Sequence, residues 1–379
     1  AARELAIRSL IERAPLAGTL AQAFKAKGFK LALVGGPVRD AILGRLGNDL
    51  DFTTDARPEI TKEILKNWAE HIWETGIEFG TIAGKRGETT VEITTYRSDK
   101  YDPSSRKPEV EFGDDIEGDL SRRDFTVNAM ALELTDDKPV FIDVFNGVQD
   151  LGTKILRTPV SPEQSFSDDP LRMMRAARFA AQLNFEVEAS ALKAMHEMAE
   201  RINIISAERV RDELIKLLMS DQPRKGIEIL VATGLADLVL PEIPKLKLEI
   251  DEHHHHKDVY EHSLTVLEQA IALETRLGGK NLVIRLAALL HDIGKPKTRE
   301  LIPGGGVSFH HHEVVGARLA KERLKKLRFS NEVIEEVELL ISLHLRFHGY
   351  GDGEWTDSAV RRYVRDAGEL LTHLHVLTR

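Results

Sequence analysis

Apolar residues recur at helical spacing through the first thirty positions. Ile7, Leu10 and Ile11 share one face, and Leu16, Leu20 and Phe24 return every fourth residue. Pro15 stands between the two sets and predicts separate helices. The period then changes. Leu31-Ala32-Leu33-Val34 is a short apolar run that reads as a buried strand; Gly35-Gly36 ends it, and a helix over Val38–Leu43 follows. A second short strand carries Asp49 and Asp51. PEITKEILKNWAE reads as a helix with Pro58 near its start, and GTIAGKRG and TTVEITTYR read as strands, the second rich in β-branched residues. This pattern predicts a mixed α/β head with a small sheet. Ser98–Leu120 is polar and rich in turn residues, and predicts a mobile surface loop. FIDVFNGVQDLGTKILR, marked by Asp143 and the Asn146-Gly147 turn, closes the head. From SFSDDPLRMMRAARFAAQLNF onward the pattern is helical, and beyond about Pro241 it also holds most of the histidines.

Length and composition narrow the reading. A chain of 379 residues suggests two or three domains with ample core. Hydrophobic content of 42% with 30% charged residues is ordinary for a globular protein. No run of about 18 apolar residues predicts a transmembrane helix, and AARELAIRSLIERAPL, an amphipathic helix carrying acids, does not read as a signal peptide. The absence of cysteine excludes disulfides and thiolate metal sites. A net charge of −9 argues against nonspecific coating of nucleic acid. A nucleic-acid partner would need a local basic groove, for which LAKERLKKLRF (Leu319 to Phe329) and RKPEV around Lys107 are candidates.

The chemistry concentrates in a few places. Asp49 and Asp51 stand at i and i+2 of a strand, so both carboxylates face one side and can share divalent metal, Mg²⁺ by ligand hardness. Gly35 and Gly36 let backbone N–H groups approach a phosphate, with a helix start behind them and Arg39 as a fixed cation. Glu92 lies mid-strand with Thr90, Thr94 and Tyr96 on its own face; spacing alone leaves it equally an edge or solvent-facing residue. In SRRDFTVNAMALEL, two arginines precede an apolar run, a placement that also suits a cap. Asp169 before Pro170 is a good N-cap followed by proline at N1. Arg172, Arg175 and Arg178 recur every third residue and form a stripe on one helix side. SAERVRDELIKLLM, with Ser206 as N-cap followed by Glu208 and Arg209, reads as a structural brace. DEHHHHKDVYEHSLTVLEQA holds four consecutive histidines in helical register with flanking chain, unlike a purification tag. LVIRLAALLHDIGKPKTR places His291-Asp292 at the end of an apolar helix, with His262 on an earlier one and His312 in FHHHEVVGA.

GGPVRD…DLDFTT resembles motif A of the nucleotidyltransferase superfamily in its class II form, which contains bacterial CCA-adding enzymes and poly(A) polymerases. The resemblance implies that Glu92 joins Asp49 and Asp51 as the catalytic carboxylates around two Mg²⁺ ions. It implies that Gly35, Gly36, Arg39, Arg122 and Arg123 bind a triphosphate. Arg122, Arg123, Asp124 and Asn128 match the R-R-D-F-T-x-N-A-M pattern, which implies contacts to triphosphate and sugar. Ser98–Leu120 falls where the family carries a flexible loop. Asp169 and Arg172, followed by Arg175 and Arg178, look like the template motif E-D-x-x-R with Asp168 in place of the glutamate, which implies base reading. His262, His291, Asp292 and His312 resemble the metal site of HD phosphohydrolases, with imidazoles favouring a transition metal. That pattern closes with an aspartate on a later helix, whereas GELLTHLHVLTR reaches Arg379 without a C-cap, so truncation at the C-terminal end is expected.

The expected fold class is α+β: a nucleotidyltransferase head with a small mixed sheet over 1–157, an all-α nucleobase-recognition neck over 158–240, and an HD-type helical domain over 241–379. The implied activity is template-independent addition of C, C and A to tRNA from CTP and ATP, in the cytoplasm and without a membrane partner. A CC-adding enzyme shares these motifs. A poly(A) polymerase would be expected to be basic and to lack the HD domain, and a chain that is chiefly an HD phosphohydrolase would not need the intact Asp49/Asp51 pair.

Overall fold

The computed structural model describes residues 1–100, 109–113, 115–248, 258–346 and 355–379. The chain divides into two compact units. The first comprises residues 1–172 and 185–194, and the second comprises 173–184 and 195–379.

The first unit opens with helices α1 (Ala2–Arg13) and α2 (Leu16–Ala26), separated at Pro15. Strand β1 (Leu31–Val34), helix α3 (Gly36–Ile42), strand β2 (Asp49–Thr54) and helix α4 (Pro58–Trp68) follow. Strands β3 (His71–Trp73), β4 (Thr81–Arg86) and β5 (Thr89–Thr95) come next, then β6 (Arg97–Lys100) and β7 (Glu109–Phe112). Helix α5 (Ile116–Ser121), strands β8 (Ala131–Glu133) and β9 (Val140–Ile142), helix α6 (Gly147–Thr153), strand β10 (Ile155–Leu156) and helix α7 (Pro162–Asp168) complete the run up to α8 (Leu171–Leu183). The boundary between the units falls inside α8. Beyond it, β11 (Glu186–Val187) returns to the first unit to pair in parallel with β10.

Seven strands form one mixed sheet in the order β3-β4-β5-β2-β1-β8-β9. Its single parallel pair is β2 with β5, in register Asp49↔Thr90 and Asp51↔Glu92. Strand alternation gives the sheet two unlike faces. Leu31, Leu33, Leu50, Phe52, Ile82 and Ile93 pack with Leu20, Phe24 and Leu65 of α2 and α4 into the main core. Each such side chain taken fully from water contributes about 1.5–3 kcal/mol. Ala32 and Val34 turn the other way, into a small cluster with Leu120, Ala129 and Ala131. Asp49 and Asp51 alternate with buried Leu50 and Phe52, so they occupy the face away from the main core.

Within Ser98–Leu120, expected as a mobile loop, the described residues form two strands and a helix, and residues 101–108 and 114 lie outside them. β6 and β7 pair antiparallel, and α5 follows with Asp115 as its N-cap, accepting from Glu117 N at 2.9 Å. The alternation in Glu109-Val110-Glu111-Phe112 carried that signal. Phe112 fits against Gly80, where an added Cβ would lie 2.5 Å from its ring, and Arg57 stacks over it at 5.2 Å.

The second unit is mainly helical. It contains the rest of α8, α9 (Ala189–Met198) from Met195, α10 (Ala207–Leu218), α11 (Pro223–Ala232), α12 (Leu235–Val239), α13 (Val259–Leu273), α14 (Leu282–Leu290) and α15 (Lys295–Thr298). A hairpin of β12 (Arg299–Leu301) and β13 (Val307–Phe309) leads to α16 (His312–Lys326), α17 (Asn331–Leu343), α18 (Asp357–Ala367) and α19 (Leu371–Leu377). Every residue of α14 from Val283 to Leu290 is buried, including Arg285. Its guanidinium is neutralised by Glu274, Nε to Oε2 at 3.0 Å, and donates to the carbonyls of Leu218 and Ser220 at 2.7 Å each. Ser206 caps α10 by accepting from Arg209 N, as the sequence predicts. The four-histidine run His253–His256 and the basic stretch around Lys107 lie outside the described residues. No helix among the described residues is long and apolar enough to cross a membrane.

Candidate active site and metal centre

The parallel register of β2 and β5 brings the three acids together. Asp51 stands directly beside Glu92 on the neighbouring strand, and Asp49 lies two residues back on the same face. Asp51 is pushed up to about 6: burial is the first cause, then the Glu92 carboxylate, with Arg123 acting against them. A carboxylate raised in this way is one that an added cation would stabilise. Hard oxygen donors alone face the site from these three residues, a set that fits Mg²⁺.

Gly35 closes β1 with φ +72°, a left-handed conformation that glycine adopts without strain. A Cβ there would meet Arg123 Nη1 at 3.1 Å, so the arginine lies against this turn. A Cβ on Gly36 would sit 3.3 Å from Arg39 Nη2. Arg39 is itself buried and donates to Asn128 Oδ1 at 2.5 Å and to Asp40 Oδ1 at 3.1 Å. Asn128 in turn donates to Asp124 Oδ1 at 3.1 Å, and that oxygen also accepts from Phe125 N at 2.7 Å. Arg39, Asn128 and Asp124 thus form one hydrogen-bonded chain that fixes the wall beside the acids.

Asp169 caps α8 as expected, its Oδ1 accepting from Leu171 N at 3.1 Å. Arg172, also buried, donates to Ser165 Oγ at 3.1 Å and to Ser165 O at 3.3 Å, and a further Nη2 bond reaches the Arg122 carbonyl. Asp168 accepts from Gln164 Nε2 at 2.6 Å. The arginine stripe does not act as one unit. Arg178 Nε meets Glu213 Oε2 at 2.5 Å, and Arg175 Nη1 lies 3.6 Å from Glu213 Oε1, so both brace α8 against α10.

In the second unit, Asp292 is ringed by imidazoles. Its Oδ2 lies 3.0 Å from His291 Nε2 and 3.5 Å from His262 Nε2, and its Oδ1 lies 3.1 Å from His312 Nε2 and 3.7 Å from His344 Nε2. His291, His312 and His344 each direct Nδ1 at a backbone carbonyl three residues back: Ala288 at 2.7 Å, Phe309 at 3.0 Å and Ile341 at 2.5 Å. This arrangement suits a proton on Nδ1 and turns each Nε2 inward. His312 and His344 bring their Nε2 atoms within 3.3 Å. Two lone pairs facing each other there call for a proton or a metal ion between them. Buried Asp292 Oδ2 also has no hydrogen-bond partner of good geometry. Such a donor set fits a transition metal. Gly294 permits the approach, since a Cβ there would lie 2.1 Å from the His312 carbonyl.

Comparison with known proteins finds three separate matches along the chain. The description "Poly A polymerase head domain" matches residues 31–157, "Probable RNA and SrmB- binding site of polymerase A" matches 184–246, and "HD domain" matches 259–371. The chain is thus similar to a poly A polymerase-type head over residues 31–157 and to an HD domain over residues 259–371. A CCA-adding enzyme of Streptococcus suis (strain 05ZYH33) is 43% identical over 208 residues, 55% of this chain and 50% of the relative. The chain spans about half the length of the curated relatives it matches. Among solved structures, a Bacillus stearothermophilus CCA-adding enzyme in complex with CTP is 26% identical with TM-score 0.60, covering 93% of this chain and 82% of that one. A Thermotoga maritima CCA-adding enzyme complexed with tRNA-CCA shares the fold, with TM-score 0.69 and 22% identity over 98% of this chain and 80% of that one.

Sequence reasoning missed one group of the histidine-rich centre, His344. A signal existed. His344 follows the apolar helix α17 at its C-cap as His291 follows α14, and both turn Nδ1 back onto the helix. Among the described residues, His344 joins the centre from the end of α17.

Proposed function

We propose that the chain adds C, C and A to the 3′ end of tRNA, using CTP and ATP and releasing pyrophosphate. The observation that carries this reading is the register of β2 and β5, which sets Asp51 beside Glu92 with Asp49 on the same face. Asp49 and Asp51 would hold Mg²⁺, which when bound supplies charge to activate the primer hydroxyl and stabilise the leaving pyrophosphate. Glu92 assists at the primer hydroxyl. Arg122 and Arg123 grip the triphosphate beside the Gly35-Gly36 turn, and the Arg39–Asn128–Asp124 chain holds the triphosphate and sugar wall in shape.

Asp169 and Arg172 read the base. Cytosine and adenine each offer an exocyclic amino donor beside a ring-nitrogen acceptor, which an acceptor carboxylate next to a donor guanidinium matches. Guanine and uracil present a carbonyl beside a ring N–H, so both contacts become unfavourable. The tie from Arg172 to the Arg122 carbonyl keeps base reading and triphosphate binding in one frame. Incubation with tRNA lacking its 3′ end and each labelled NTP separately tests the proposal. Incorporation of C and then A is expected; a product of C alone would leave a CC-adding enzyme, and no incorporation would overturn the reading.

A second reading stands beside it, carried by the imidazole ring around Asp292. We infer that His262, His291, Asp292, His312 and His344 hold a transition metal and that this centre hydrolyses a phosphoester independently of Asp49 and Asp51. Metal analysis and a phosphodiesterase assay on the Asp49→Ala protein test it. The chemistry of both sites suits a cytoplasmic enzyme.

A further inference from the structure

Asp119 is fully buried, and each of its oxygens is held by an arginine of the site. Oδ1 accepts from Arg122 Nε at 3.3 Å and Nη2 at 3.2 Å, and from the Arg97 backbone N–H at 3.1 Å. Oδ2 accepts from Arg123 Nη2 at 3.2 Å. Asp119 lies on α5 three and four residues before the two arginines, so one carboxylate can meet both guanidiniums. Burial would raise its pKa, but Arg122 and Arg123 hold it below the usual carboxylate range.

The arrangement does more than fill a hole. Arg122 and Arg123 are adjacent like charges, and Arg122 disfavours the charge on buried Arg123. The carboxylate between them removes that repulsion and fixes their separation. Arg123 extends from Asp119 to the Gly35 turn, and its charge is felt by Asp51. The Arg122 side chain is pinned by Asp119 while its carbonyl is pinned by Arg172. One carboxylate and two guanidiniums leave one net positive charge facing the nucleotide site. The Arg97 amide ties the same carboxylate to the base of the β6–β7 hairpin.

We propose that Asp119 is a positioning residue for nucleotide transfer, setting Arg122 and Arg123 at the spacing that grips the β- and γ-phosphates of the incoming nucleotide. The proposal rests on the nucleotidyltransferase reading above. Asp119→Asn keeps the volume and one acceptor but loses the charge and the second acceptor. The Kd of CTP should rise about tenfold or more, as for loss of charge-assisted bonds, while the Kd of CMP, which lacks the outer phosphates, stays within twofold. A packing role alone would weaken both ligands together.

Asp119→Asn on an Arg122→Gln/Arg123→Gln background should then cost nothing further, because its effect runs through those side chains. If Asp119→Asn alone does not fold, Asp119→Asn/Arg122→Gln is compared with Arg122→Gln, and the same CTP-specific loss is read through Arg123. Wild-type affinity for CTP in the folded variant, equal loss of CTP and CMP, or full additivity with the arginine changes would overturn the proposal. The wild-type chain separates this from the broader reading. If it neither extends tRNA nor binds CTP better than CMP, both fall; if it does both and Asp119→Asn matches it, only the positioning role falls.

Discussion

The two acid-bearing centres use the same residue in opposite electrostatic settings. Asp51 sits among carboxylates, and burial with Glu92 and Asp49 pushes it up to about 6 against the opposition of Arg123. Asp292 is more deeply buried, yet His291, His312 and His344 hold it well below the usual range. Burial penalises both charges; the neighbours decide the outcome. His291 shows the reciprocal effect: burial would lower it, and Asp292 raises it. His344 is lowered by burial and by the His291 charge, so the ring is not uniformly protonated. The head cluster therefore lacks positive charge, which a bound metal ion would supply. The HD centre supplies its own until a metal displaces it.

The largest effect expected is on the head. Asp49→Ala or Asp51→Ala should lower nucleotide addition by roughly a thousandfold or more, since the charge holding the reacting oxygens is lost, while tRNA binding remains. Single-turnover incorporation at saturating Mg²⁺ checks this, and near-normal turnover in either variant would remove the metal assignment. Phosphoesterase activity from the HD centre should be untouched in both.

Asp→Asn substitutions at the two centres sharpen the comparison, because their effects on stability should differ in sign. Asp292→Asn removes the acceptor that compensates a buried, raised His291, and breaking such a pair typically costs about 3–5 kcal/mol. It should also abolish retention of transition metal without changing nucleotide addition. The contribution of Asp292 is present above the ordinary carboxylate value and fades only as pH falls through its lowered value. That of His291 is present below its ordinary 6.5 and is lost as pH rises through its raised value. Thermal unfolding of chelator-treated protein at pH 7 should thus show a lower Tm. An unchanged Tm and unchanged metal content would mean the ring is not a coupled centre.

Asp51→Asn should act the other way. A carboxylate raised from 3.8 to about 6 binds its proton more tightly in the folded state, so native stability falls as pH rises between those values. Above pH 6 the charge is present in both states, and the folded chain carries a penalty of at most about 3 kcal/mol from a shift of this size. Asn carries no such penalty. In metal-free protein, Tm of Asp51→Asn minus wild type should grow between about pH 4 and pH 6 and level off above that, and excess Mg²⁺ should shrink the difference by stabilising only the wild type. A flat difference across pH would show that Asp51 is not the strained member of the cluster.

Local patterns made much of this legible in the sequence. The i, i+2 placement of Asp49 and Asp51 fixes their common face whatever the topology, and the caps at Ser206 and Asp169 are short-range hydrogen bonds. Long-range pairings were less accessible. Nothing in spacing alone places Glu92 beside Asp51; that follows from a parallel pairing of β2 with β5. Arg175 and Arg178 look like partners of Arg172 on a helical wheel, but Glu213, far along the chain, claims both. The β6–β7 hairpin was masked by polar composition, because its order depends on Phe112 meeting Gly80 and Arg57.

The smallest stability effect belongs to Asp169, where it is also the most informative. Its cap to Leu171 N is present, so a purely capping role is physically sufficient to explain the residue. Asn caps a helix about as well as Asp, and Asp169→Asn should leave stability within about 0.5 kcal/mol of wild type. Base reading makes a different demand. The Asn amide offers a donor and an acceptor and can rotate to meet either base pattern, so rejection of UTP and GTP should weaken by about tenfold or more. Single-nucleotide kcat/KM for all four NTPs, on tRNA ending before and after the two cytidines, separates the roles. If Asp169→Asn keeps wild-type preference for CTP and ATP on both substrates, the carboxylate is a cap alone, and selectivity must come from other groups around the base.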